Sequence, residues 1–125
     1  MKKMIRLSLL LNIAVLIPVC GGLLSDAFWV TEVYGTATAA RGILLSIYGA
    51  ILFLSAFLLF RHEVLLVAPL LLVQVIYKLT TPFTVGSFTN PVVISNILIA
   101  GVHMVTLSLI VGHVRRTTEV LNAAE

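Results

Sequence analysis

The chain has 125 residues, 60% of them apolar and 10% charged, with a formal net charge of +3. A soluble globular domain carries about a quarter charged residues and has no way to hide this much apolar surface, so that class is excluded. A single cysteine, Cys20, rules out an intrachain disulfide or a Cys-x-x-Cys redox pair, and no basic stripe with interleaved aromatics speaks for a nucleic-acid partner.

Four segments are apolar enough to span a bilayer, Leu7 to Leu24, Gly42 to Phe60, Val64 to Thr81 and Val92 to His113. Each is near the roughly 20 residues that a helix needs to cross about 30 Å of hydrocarbon. The prediction is an all-α, four-transmembrane-helix bundle forming one membrane domain over residues 1–125. The first span follows Lys2 and Lys3 and so resembles a secretory signal, but Ser25-Asp26-Ala27 is a poor cleavage site and a membrane anchor is expected. Pro18 and Gly21-Gly22 predict a kink or early unwinding near its end. Residues 25–40 form the longest link, and Phe28, Trp29 and Tyr34 within it suit a membrane interface.

The second and third spans are joined only by Arg61-His62-Glu63, a tight antiparallel hairpin that makes them neighbours. The third span contains Gln74 and Lys78 and is expected to end before Thr80-Thr81-Pro82. Including it puts Lys2, Lys3, Arg6, Arg61, Arg115 and Arg116 on one side, against Arg41 and Lys78 on the other. By the positive-inside rule both termini are then cytoplasmic, and a bacterial-type plasma membrane is the expected location. Gly42, Gly49 and Ala56 on the second span, with Gly101 and Ser108 on the fourth, recur every seven residues and predict close helix packing. The tail after His113 is too polar to span and continues at most as a helical turn or two.

Polar side chains at membrane depth are costly and tend to face a bundle interior or a cavity. Arg41, Tyr48 and Ser55 share a face at seven-residue spacing, Gln74 and Lys78 share one at four, and Asn96 and His103 share one at seven; Asn12 is the polar side chain of the first span. Arg41, Tyr48, Gln74, Tyr77, Lys78, Asn96 and His103 are therefore the candidate ligand-binding residues, either as a polar pocket opening outward or as an interhelical hydrogen-bond network. Arg41 and Lys78 fall within roughly 7 Å in height at the helical rise. They either snorkel apart, or the loop folds over the outer mouth and brings Asp26 or Glu32 near Arg41 or Lys78, with Gln74 and Asn96 lining the space beneath.

No metal or resident cofactor is expected. A haem at His103 lacks a second ligand at its depth, His62 and His113 lying roughly 15 Å away, so at best those two edge histidines would serve a bis-histidine haem. No acidic residue lies within a span, which counts against proton-coupled transport. The small multidrug resistance transporters match in length and helix number, but the carboxylate of their first helix has no counterpart among Ser8, Asn12 and Cys20. No complete catalytic constellation is present, and an enzyme is not the favoured reading.

The order of features, Arg41-Gly42 opening the second helix, Tyr48-Gly49 within it, a short hairpin, then Gln74 and Tyr77-Lys78, resembles that of the DoxX-like small bacterial membrane proteins over about residues 5 to 113. The resemblance implies the four-helix fold. The leading functional expectation is a non-catalytic subunit or accessory protein, partnered by membrane lipids and by other membrane subunits or further copies of itself. The alternatives are a protein binding a lipid-like molecule such as a quinone in its outer half, and an oligomeric channel or transporter.

Overall fold

The computed structural model describes residues 1–61 and 63–124; His62, and Glu125 at the chain end, lie outside the described residues. Five helices follow in order: α1 (Lys2–Ser25), α2 (Phe28–Tyr34), α3 (Ala39–Arg61), α4 (Val64–Val85) and α5 (Pro91–Asn122). All except α2 are long and apolar enough to cross a membrane, at the four places the hydropathy pattern predicts. The chain is a multi-pass integral membrane protein.

Several expected boundaries move. α1 continues through Pro18, Gly21 and Gly22 to Ser25, and closes on Asp26 in the left-handed conformation, whose N–H donates to Gly22 O. The expected early unwinding is absent because Gly22 serves space and not a break: a Cβ there would lie 2.3 Å from the Trp29 ring. The link after α1 is not a plain loop, since Phe28–Tyr34 form about two helical turns over the bundle end. α4 passes its expected stop at Pro82 and ends at Val85. Threonine hydroxyls before the proline bond back to their own helix, Thr81 to Tyr77 O at 2.7 Å and Thr80 to Ile76 O at 3.1 Å, and a proline inside a membrane helix is tolerated where it would end one in water. α5 starts at Asn90, whose side chain accepts from Val92 N at 2.8 Å, with Pro91 at the first helical position. It runs to Asn122, beyond the one or two extra turns expected.

The closest helix pairs are α1 with α3 and α4 with α5, and α1 also meets α5. Although α3 and α4 are joined by the short hairpin, they touch little and flank an apolar groove with Leu54 and Phe57 on one wall and Leu66 and Val73 on the other. The small-residue stripe does not bring helices together as expected. Nothing lies within 4 Å of a Cβ built at Gly42, Gly49 or Gly101. Arg41, Tyr48 and Ser55 occupy the inner face of α3, and a residue one position later is turned about 100° away from it.

The interior is layered. Ile5, Leu9, Leu58, Val67, Leu71 and Ile110 form an apolar cluster toward the chain termini. Leu16, Cys20, Leu23, Val30, Tyr48 and Ile51 form a second toward α2. On every long helix, polar residues fall between or beside these clusters: Ser8 and Asn12, Ser55, Gln74, His103 and Thr106 are all buried. Large apolar side chains such as Phe53, Phe60, Leu65 and Leu98 face outward. Polar groups inside and apolar groups outside are what a hydrocarbon surround selects.

Candidate functional site

Mid-bundle, three helices meet at one amide. Asn12 Nδ2 on α1 donates to Ser55 Oγ on α3 at 3.0 Å, and Asn12 Oδ1 accepts from His103 Nε2 on α5 at 3.0 Å. Since the amide oxygen only accepts, the imidazole proton sits on Nε2, leaving Nδ1 buried without a partner. One turn nearer the termini, Ser8 Oγ and Thr106 Oγ1 are 2.8 Å apart. His103 is thus a structural partner of Asn12 here, and among the described residues no three metal-binding side chains gather. His113 is exposed, and the paired-histidine alternative depends on His62, outside the described residues.

Toward α2 the interior opens. Two adjoining cavities of about 180 Å³ and 480 Å³ share Val33, Tyr34, Tyr48, Val92 and Asn96 as walls. The smaller adds Trp29 and Lys78, the larger Tyr77 and Thr81. Together they form one chamber under α2, polar on its α3–α4–α5 side. Tyr34 and Tyr48 meet edge to face with ring centroids 6.3 Å apart, and Tyr77 stands 6.4 Å from Tyr48. Burial pushes the Tyr34 hydroxyl well above its ordinary ionisation range, so it remains a neutral donor.

Lys78 is the electrostatic centre of the chamber. Its residue is 4% exposed, and Nζ donates to Asn96 Oδ1 at 3.0 Å. Asn96 Nδ2 in turn donates to Thr81 Oγ1 at 3.4 Å, and the ammonium lies 4.9 Å from the centre of the Tyr77 ring. Among the described residues no carboxylate comes within ion-pair distance of Nζ. The Tyr77 hydroxyl is likewise buried without a partner.

Arg41, also buried at 7% exposure, differs from Lys78 in being neutralised. Its Nη2 pairs with Asp26, and Nη1 donates to Gly35 O at 2.9 Å. One of the two candidate loop carboxylates therefore meets Arg41 as anticipated, and neither cation snorkels. Asp26 itself is the α1 cap, and α2 is strapped down between this pair and the bond from Asn90 Nδ2 to Val33 O at 3.1 Å.

Of the seven residues singled out in the sequence, Tyr48, Tyr77, Lys78 and Asn96 line the chamber. Arg41 secures its lid, and His103 belongs to the mid-bundle layer. Gln74 does not line the chamber as expected: its Nε2 donates to Leu70 O of its own helix at 3.4 Å, and Oε1 is buried without a partner. Tyr34 and Trp29 are walls that the sequence does not reveal, because in a link between spans no periodicity places them, and Thr81 is another because the third span is expected to end before it while α4 runs on to Val85. Comparison with known families, curated proteins and solved structures finds no match to the chain.

Proposed function

We propose that this protein binds a lipid-like small molecule, quinone-type or similarly amphiphilic, by its polar head in the chamber under α2. The observation that carries the reading is Lys78, a buried ammonium that among the described residues has one amide oxygen as its hydrogen-bond partner and an open chamber in front of it. An unpaired charge held out of water costs several kcal/mol or more unless something hydrogen-bonds and neutralises it. A bound head with acceptor oxygens supplies that, while Tyr34, Tyr48 and Tyr77 give it rings to lie against and hydroxyls to bond.

The orientation that suits this role places the termini in the cytoplasm and α2 at the outer face. Lys2, Lys3, Arg6, Arg61, Arg115 and Arg116 lie toward the terminal end, whereas the two cations toward α2, Arg41 and Lys78, are buried; the charge asymmetry supports it. The head would then enter from the outer leaflet.

The test is solvent extraction and mass spectrometry of protein purified in mild detergent, for the natural chain and Lys78→Met. One amphiphile per chain, lost in the folded variant, is expected. A natural chain free of any stoichiometric small molecule, with Lys78→Met equally stable, refutes the reading.

A second reading, a non-catalytic subunit of a membrane assembly, is favoured by the open helix surface at Gly42, Gly49 and Gly101. Flat surfaces of this kind let another membrane helix approach closely. Co-purification from mild detergent tests it: a chain running alone as a monomer counts against it.

A further inference from the structure

The chamber does not end at its polar head. Val15, Pro91 and Ser95 line both the smaller cavity and an apolar groove of about 560 Å³ between α1 and α5. Down that groove the walls become Leu11, Leu98 and Val102, and its outer side is open to the lipid. The apolar groove between α3 and α4 shares no wall with the smaller cavity and Tyr77 alone with the larger one.

We infer that the ligand is an anionic amphiphile with a single apolar chain, its acidic oxygens at Lys78 Nζ and its chain lying in the α1–α5 seam. This rests on the proposed ligand-binding role and adds the charge of the head, the number of chains and the path of the tail. The charge follows from bookkeeping within the bundle. Asp26 already neutralises Arg41, whereas Lys78 meets only neutral oxygen, so one negative charge completes the site where a neutral carbonyl would leave the ammonium uncompensated. The path follows from continuity, because a tail leaving the smaller cavity past Val15 and Ser95 passes directly into an apolar seam. The chain number follows from the walls beside Lys78: Trp29, Val33 and Tyr34 lie on the α2 side of the smaller cavity, the α1–α5 groove shares three walls with it, and the α3–α4 groove meets the larger cavity only at the Tyr77 ring. A free single-chain acid fits this outline, whereas the second chain of a phospholipid would have to pass the Tyr77 ring to reach a groove of its own.

The probe is octadecanoate carrying a mid-chain photoreactive diazirine, added to the full chain in phosphatidylcholine nanodiscs, with cross-links located by mass spectrometry. Expected are saturable cross-links on α1 and α5 near Leu11, Leu98 and Val102, suppressed by excess unlabelled octadecanoate. Lys78→Met and, on the natural chain, the methyl ester of the probe should each lower labelling at least tenfold. Val102→Phe, which fills the seam below the head, should reduce it similarly. Phosphatidic acid as competitor distinguishes the source of the anion and should compete poorly; if it competes as well as octadecanoate, the single-chain assignment fails. Equal labelling by the acid and its ester overturns the anionic head while leaving the ligand-binding role standing. Saturable cross-links on α3 and α4 overturn the tail path alone. Diffuse, unsaturable labelling over the whole lipid-facing surface overturns the inference, and the mass-spectrometric result for the purified natural chain then decides separately whether the chamber binds anything.

Discussion

Asn12 ties three helices together with one amide, and its removal strands two partners at once. In a membrane an interhelical hydrogen bond contributes about 0.6–2 kcal/mol. Asn12→Leu, breaking the bonds to Ser55 and His103, should therefore cost about 1–3 kcal/mol. His103→Leu should cost less, about 0.5–2 kcal/mol, since it removes one bond and also the unpartnered Nδ1. The double variant should lose less than the sum, which a double-mutant cycle by reversible unfolding in detergent will show; strict additivity would mean that the pair is not coupled. This layer was partly legible: His103 with Asn96, and Ser55 with Arg41 and Tyr48, were placed on inner faces by spacing alone. Thr106 is not singled out by the sequence and Ser8 only as a polar residue of the first span, because small hydroxyls in apolar runs bond back to their own helix at little cost and give no clear signal of which way they face.

At the scale of elements, α2 is the least predictable piece and the one on which the chamber depends. Seven residues are too few for helical periodicity to register, so its aromatics read as a surface belt. What holds α2 is tertiary: Trp29 packs on Gly22, Asn90 binds Val33 O, and Arg41 binds Gly35 O while pairing with Asp26. Gly22→Ala would drive a methyl into the Trp29 ring, an overpacking expected to cost about 1–3 kcal/mol. Since Trp29 is the only tryptophan, its emission should shift to the red as the ring leaves its seat. An unchanged spectrum would place the ring elsewhere. Gly21→Ala, with nothing within 4 Å of the new carbon, is the matched control and should leave the emission unchanged without loss of stability. The spans, by contrast, were plain from composition. Their ends were not, because a proline that stops a helix in water is tolerated within a membrane helix, as at Pro82 in α4.

For the whole molecule, the number of spans is legible in the sequence but their pairing is not: the short hairpin predicts α3 and α4 as neighbours, and they touch little. A short hairpin makes α3 and α4 antiparallel, yet the bundle closes through α1–α3 and α4–α5, since the polar faces that must leave the hydrocarbon point that way. The same inward-facing polarity left small residues on the outside of α3, where the seven-residue repeat had suggested an internal seam. The proposed orientation makes a clean prediction: single cysteines placed in residues 27–40 of a Cys20→Ala background should react with an impermeant maleimide added to intact cells, and those at 117–121 only after permeabilisation. The opposite pattern would turn the bundle over and move the chamber to the inner leaflet.

A density map of the natural chain purified in native lipid distinguishes a binding site under α2 from a packing gap. Continuous density is expected that begins beside Lys78 Nζ and Asn96, passes Val15 and Ser95, and runs between α1 and α5. A map in which Tyr34, Tyr48 and Tyr77 close over Lys78, or in which a protein carboxylate fills the position in front of it, would show that the chamber binds nothing.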